Sequence, residues 1–307
     1  MKESAKRAEG GRDGRRALQD GKSEKPPTSL VEVDLAAHSD PGTVRSANED
    51  HYLVVRLERS LEALLSNLPE ELVPRNDNET TYGMVVADGM GGMPSGDVAS
   101  RLALSKLVEL VVKTPDWIMR MNRRKAAVVK RRLIQRFRHV DITLRELGER
   151  DPRLSGMGTT LTVAASLGAD LFLAHIGDSR AYLLRDGELH QLTRDHTLAE
   201  AMIEAGFLDP ADSTVYGMRR VLTAALGSTA QPTDPEVQRL QLVHGDQLLL
   251  CTDGLTECLE PESIRAILSD AMSADEACHR LVNAALEAGG TDNVTVILAR
   301  YRFPKTS

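Results

Sequence analysis

Between residues 159 and 192 the chain alternates apolar and polar side chains in four short runs, at 159–166, 171–176, 181–184 and 188–192. A period of two puts one face of each run on a core and reads as a strand. Only residues 167–170 and 185–187, with the turns Gly168-Ala169-Asp170 and Asp186-Gly187, separate the members of the first and last pairs. Such connections fit hairpins and are far too short for the crossover that parallel strands require. The fold must therefore contain antiparallel sheet. Residues 31–37, 52–57, 82–87, 247–252 and 293–301 read as further strands. Helical spacing marks residues 97–113, 197–206 and 273–286, and a long helix that opens on Thr114 as N-cap with Pro115 at its first position and runs to about 150. Strands in sequence with helices on either side imply antiparallel sheets with helices packed outside them.

Composition removes several classes. A formal net charge of −7 argues against a general nucleic-acid binder, and 3% aromatic residues leave little for stacking on bases. Cys251, Cys258 and Cys278 are odd in number and lack CxxC spacing, so neither a disulfide framework nor a zinc site is expected, and a reducing compartment is. No apolar run approaches the ~20 residues that span a bilayer. The charged N-terminus has no apolar stretch of a secretory signal behind it. The expectation is a cytoplasmic protein that binds no nucleic acid and inserts in no membrane.

Acids then stand out at the ends of the strands. Asp88 follows 84–87, Asp178 follows 175–177, Asp253 follows 248–252, Asp292 precedes the last strand, and Glu49-Asp50 precede the strand at 52–57. Nearly all have glycine or a small residue beside them, as in Asp88-Gly89, Gly177-Asp178-Ser179, Asp253-Gly254 and Gly290-Thr291-Asp292. One Asp-Gly is usually a turn. An ordered set at strand mouths is different, because gathered carboxylates repel unless a cation neutralises them. Glycine lets backbone approach closely, so a carbonyl can join the ligands. An all-oxygen set suits Mg²⁺ or Mn²⁺ and not zinc. Two such ions can activate water and stabilise in-line displacement at phosphorus.

Taken in order, Arg45-Ser-Ala-Asn-Glu49-Asp50, Ala87-Asp-Gly-Met-Gly-Gly92, Gly156-Met-Gly-Thr-Thr160, His175-Ile-Gly-Asp-Ser-Arg180, Cys251-Thr-Asp-Gly-Leu255 and Gly290-Thr-Asp-Asn-Val294 resemble the type 2C (PPM) metal-dependent serine/threonine protein phosphatases, of bacterial type. The matching segments span about residues 38–301. The resemblance implies an α+β fold, a central sandwich of two antiparallel β-sheets flanked by α-helices on both faces, with a Mn²⁺ or Mg²⁺ centre of two ions, or three, at one end. It implies that Asp88 bridges two ions, that Asp253 and Asp292 complete one, and that Glu49 and the Gly89 carbonyl support the other. Asp178, with Asp253, would hold the third. Arg45 would grip the substrate phosphate, whose oxygens its planar fork matches. Asp50 and Asn293 would support these groups from behind. Where many eukaryotic members carry a histidine after Asp-Gly, this chain has Met90, and a thioether cannot donate a proton to a leaving group. His38, His51 and His175 lie close in sequence to the acids but are given no catalytic role.

The implied substrates are proteins phosphorylated on serine or threonine, with a cognate protein kinase as a partner; a catalytically inactive scaffold on the same fold is the alternative reading. Residues 195–226 fall where the family has a mobile flap, and its Arg219 and Arg220 are candidates to contact acidic or phosphorylated substrate. Residues 1–30 read as a disordered tail and 31–303 as the phosphatase domain, with 58–79 an insertion. The cation-rich stretch 120–138 keeps an apolar side through Ile118, Val128, Val129, Leu133 and Ile134, so it reads as a charged outer helix. No heptad or long apolar stripe calls for a dimer, and a monomer is expected.

Overall fold

The computed structural model describes residues 31–59, 79–92, 95–113, 123–209, 215–228 and 233–304. The tail at 1–30, most of the insertion at 58–79 and the Thr114-Pro115 helix start lie outside the described residues. The strands are β1 (Glu32–Asp40), β2 (Asp50–Arg59), β3 (Glu79–Met90), β4 (Gly158–Thr159), β5 (Leu161–Leu167), β6 (Asp170–Ile176), β7 (Arg180–Arg185), β8 (Glu188–Gln191), β9 (Glu236–Gln241), β10 (Gln247–Cys251) and β11 (Val294–Arg302). The helices are α1 (Ser95–Lys113), α2 (Arg123–Arg150), α3 (Leu198–Glu204), α4 (Val215–Met218), α5 (Asp253–Thr256), α6 (Pro261–Asp270) and α7 (Ala274–Glu287). One sheet runs β1-β11-β10-β7-β8 and the other β2-β3-β5-β6-β9, with β4 on the end of β3. Every pairing is antiparallel.

Alternation along the strands separates three cores. In β3, Met84 and Val86 enter the layer between the sheets, where Leu171, Leu183, Leu248, Leu250, Ile297 and Tyr301 meet them. Val85 and Ala87 point the other way, onto Ala99, Ala103 and Leu107 of α1 and Phe137 and Leu144 of α2. In β10 and β11, Leu249, Cys251, Val296 and Leu298 face Ile264 and Leu268 of α6 and Leu281 of α7. The result is four layers, helix-sheet-sheet-helix, as the family resemblance implies. The turns obey their chemistry. Asp186 and Gly187 both have positive φ (51° and 81°), which a two-residue type I′ hairpin demands, and Gly168 has φ 57°.

The structure departs from the sequence reading in a few places. The strand expected at 159–166 is broken into β4 and β5. Thr159 pairs with Gly89 and exchanges hydrogen bonds with Leu226, whereas the register with Val86 begins at Thr162. β3 continues through Asp88 to Met90, so Asp88 lies inside the strand, as the last residue paired with β2, and not beyond the strand's end. β9 and α6 fall in stretches to which no element was assigned.

Candidate metal centre

The same alternation that builds the middle layer delivers the acids. Asp88 follows Met84 and Val86 on the inward face of β3, and Asp50 stands directly opposite it across the β2–β3 ladder. Thr252 at the end of β10 and Thr295 in β11 both donate their hydroxyls to Asp50 Oδ2, at 2.8 and 2.7 Å. Asp50 Oδ1 is buried with no hydrogen-bond partner. Asp253 opens α5 behind Thr252, and Asp178 sits in the turn from β6 to β7. One carboxylate oxygen each of Asp88, Asp178 and Asp253 lies within 4.8 Å of the others.

Glycines allow this approach. A Cβ on Gly89 would stand 2.1 Å from the Gly96 carbonyl, and one on Gly254 would stand 2.0 Å from the Asn293 carbonyl. The Gly89 N–H donates to the Glu49 carbonyl at 3.2 Å, which ties β3 to the loop before β2. That loop is held by Asn293, whose Nδ2 donates to the Pro41 and Ala47 carbonyls at 2.9 Å each and whose Oδ1 accepts the Glu49 N–H at 2.8 Å. Glu49 Oε1 is, like Asp50 Oδ1, a buried oxygen without a protein partner.

Electrostatics follow from crowding. Burial pushes the Asp50 carboxyl up to about 7, with Asp253 and Asp292 adding to it against the two threonine hydroxyls. Asp253 is raised to about 6, by burial first and then by Asp292 and Glu257. Burial raises Asp88 well above the carboxylate range, reinforced by Asp50, Asp253 and Asp178, and does the same to Asp178 with help from Asp253 and Asp195. Glu49 is raised too, again through burial. Folding assembled carboxylates that it leaves uncompensated. A hard divalent cation is the ligand that such an all-oxygen, anionic, partly buried cluster fits, and the two orphaned oxygens of Glu49 and Asp50 point to the same need.

Not all candidates join that knot. Asp292 Oδ2 accepts from Arg45 Nη2 at 2.6 Å, and its Oδ1 accepts the Asn293 N–H at 2.8 Å. Arg45 is 53% exposed, so the rest of its fork is open to solvent. Arg219 and Arg220 are exposed, and Arg220 forks onto Glu257, just beyond Asp253, at 3.1 and 2.9 Å. Met90 pairs with Gly158 at the end of β3. The histidines serve elsewhere. His38 packs at a tilt against His279, their centroids 4.4 Å apart. His51 contacts Ser100 and Asp97 on α1. His175 is buried and held down to about 4 by its burial and by His196.

Residue-type reasoning passed over the hydroxyls. Thr160 Oγ1 accepts the Asp88 N–H at 3.0 Å and pairs with Ser179 Oγ at 2.7 Å, so one side chain steadies both Asp88 and the turn that carries Asp178. Thr159 Oγ1 donates to the Asp88 carbonyl at 2.8 Å. Threonines in otherwise apolar strands, as at 160, 252 and 295, were the available signal.

Comparison with known proteins decides the lineage. The family model described as protein phosphatase 2C matches residues 73–288. The chain belongs to the protein phosphatase 2C family. Within that family it is 37% identical over 234 residues to the serine/threonine protein phosphatase PstP of Mycobacterium tuberculosis, covering 74% of this chain and 43% of that protein. It thus spans less than half of that relative's length. It is 35% identical over 219 residues to the protein phosphatase PhpP of Streptococcus pneumoniae, covering 70% of this chain and 84% of that one. Among solved 2C structures, the M. tuberculosis PstP/Ppp phosphatase superposes with a TM-score of 0.69 at 33% identity, covering 89% of this chain and 100% of that one. The PstP catalytic domain in complex with two manganese ions superposes with a TM-score of 0.67 at 32% identity, over 89% and 99% of the two chains. These 2C structures share the two-sheet architecture described above.

Proposed function

We propose that this chain is a metal-dependent phosphatase that hydrolyses phosphoserine and phosphothreonine in proteins, using Mn²⁺ or Mg²⁺ held by Glu49, the Gly89 carbonyl, Asp88, Asp178, Asp253 and Asp292. The observation that carries the reading is the approach of one carboxylate oxygen each of Asp88, Asp178 and Asp253 within 4.8 Å of one another, in a partly buried site where their charges are mutually repulsive. Two ions bound there would supply an activated water and offset charge on a phosphoryl group during in-line displacement. No side chain need be phosphorylated on the way. The relatives named above are called serine/threonine or protein phosphatases, and one was solved with two manganese ions, which supports the assignment.

The protein's own groups have separable tasks. Asp88 is the shared ligand, central because charge from Asp50, Asp253, Asp178 and Asp292 all bears on it. Asp253 and Asp292 would hold one ion, Glu49 and the Gly89 carbonyl another, and Asp178 with Asp253 a third if one is bound. Arg45, steadied by Asp292 on one side, offers its remaining N–H groups to the substrate phosphate. Asp50 and Asn293 hold the surrounding loops in register. Arg219, exposed on the segment that Arg220 ties to Glu257, is the candidate contact to residues flanking the phosphate. A kinase acting on the same sites is the partner class that this activity requires.

Asp88→Asn and Asp253→Asn each preserve shape while removing a ligand charge. Both are expected to abolish phosphate release from a phosphothreonine peptide while leaving the far-ultraviolet circular dichroism spectrum unchanged. Unchanged turnover in both would rule out the site.

A further inference from the structure

We propose that His196 is a positioning residue for Asp178, holding the turn that carries this carboxylate by a hydrogen bond from backbone to imidazole; the proposal rests on the metal-centre reading above. The turn from β6 to β7 is unusual backbone. Gly177 has φ 111°, and a Cβ there would collide with the Thr160 side chain at 2.5 Å. Asp178 follows immediately. On the inner side the turn is held by Thr160 through Ser179. On the outer side it is held by the pair Asp195-His196. The His196 N–H donates to the Gly177 carbonyl at 2.7 Å, and the Gly177 N–H donates to His196 Nδ1 at 3.1 Å. Asp195 receives the Arg180 guanidinium at 2.9 and 2.7 Å. Two consecutive residues therefore grip the chain on both flanks of Asp178.

The ring is placed for this task and for no reaction. His196 is 9% exposed, and its ring packs on His175 with centroids 5.0 Å apart. An imidazole that accepts at Nδ1 carries its proton on Nε2, and Nε2 lies 3.9 Å from Glu236 Oε1 on β9. The His196 carbonyl accepts the Thr223 N–H at 2.8 Å, which anchors the residue from a third segment. Without the Nδ1 acceptor, the Gly177 N–H would be left in a dry place, just past the last residue of β6. The turn would have to rebuild to satisfy it, and Asp178 would shift relative to Asp88 and Asp253. Metal ligands tolerate displacements of only about 0.2 Å, and loss of a group that orients a ligand typically costs about ten- to hundredfold in affinity or activity.

The test compares His196→Leu, His196→Asn and Asp178→Asn with the wild type, by Mn²⁺ titration calorimetry and by phosphate release from a phosphothreonine peptide. Asparagine places its amide oxygen near the position of Nδ1, whereas leucine offers no acceptor. His196→Leu is expected to weaken, by about tenfold or more, the same Mn²⁺ binding step that Asp178→Asn weakens, and His196→Asn to restore it to within about threefold of wild type. A purely structural histidine would lower the melting temperature and leave that binding step unmoved, which would overturn the proposal. Should His196→Leu fail to fold, His196→Gln, whose acceptor reaches one bond too far, replaces it. Asparagine near wild type with glutamine weakened upholds the claim, and equal behaviour of the two overturns it. A wild type that neither binds Mn²⁺ nor releases phosphate would instead refute the metal-centre reading, and the wild-type curve alone reveals this.

Discussion

Asp50 and Asp88 oppose each other across an antiparallel ladder, and burial and neighbouring acids raise both carboxyls. Such a pair costs the folded chain stability, since each charge is desolvated and repelled by the other. At the scale of single residues, site and stability should therefore trade against each other. Asp253→Asn removes a repelling charge but keeps the shape. The metal-free variant is expected to melt at or above the wild-type temperature, and the upward shift on adding Mn²⁺ should shrink. Calorimetric melts with and without Mn²⁺ read both quantities; a lower metal-free melting temperature with an intact Mn²⁺ shift would contradict the placement of Asp253. Thr160 is the opposite case. Thr160→Val strips the acceptor from a buried Asp88 N–H and should cost about 1–3 kcal/mol in denaturant unfolding, with a loss of Mn²⁺ affinity besides. The acids were legible because a carboxylate after an apolar strand has no good structural excuse. The hydroxyls were not, because a threonine suits a strand whether or not it bonds anything.

Between elements, the contact that matters most to the site is that of β3 with α1. Gly89 lets the two backbones approach so closely that an added Cβ would sit 2.1 Å from the Gly96 carbonyl. Gly89→Ala must push α1 off the sheet. It should destabilise by at least the 1–3 kcal/mol typical of overpacking, and it should weaken Mn²⁺ binding because Glu49 is bonded to both sides of that contact. A folded Gly89→Ala protein of wild-type stability would show that the close approach is not required. Legibility at this scale followed periodicity. Strands with one apolar face announced themselves, as in β5 to β8. β9 did not, because Arg239 and Gln241 both donate to Asp170 and Gln238 donates to the Leu192 carbonyl, so long polar side chains interrupt its alternation. α6 carried its signals, Pro261 at the first position and Ile264, Ile267 and Leu268 at helical spacing, but it is short and follows directly on the α5 turn. The two-sheet sandwich came from family resemblance alone, and the order of strands within each sheet from the structure, since local pattern says nothing about which distant strands pair.

For the molecule as a whole, the same carboxylates govern the response to pH. Asp50 and Asp253 titrate near 7 and 6 in the folded protein against an ordinary value of 3.8, and Asp88 and Asp178 are raised as well. A raised acid stabilises the fold below its ordinary value, and that contribution is lost as the pH climbs through the raised one. His175 acts in the opposite sense. Held at about 4 against 6.5, it favours the fold above 6.5 and loses that contribution as pH falls toward 4. The raised acids of the cluster, Glu49 among them, outweigh the one depressed histidine, so the melting temperature of metal-free protein should fall between about pH 4 and pH 7. Saturating Mn²⁺ should remove the decline, because the ligands bind metal in their deprotonated form. A metal-free melting temperature that rises across this range would mean that the carboxylates are not packed as described.

The most direct trial of the central claim is phosphate release from a phosphothreonine peptide by the full chain, run with Mn²⁺, with Mg²⁺ and with EDTA. The acid cluster predicts release with at least one of the two ions and none in EDTA. Equal release in EDTA, or none with either ion from folded protein that calorimetry shows to bind no metal, would contradict it.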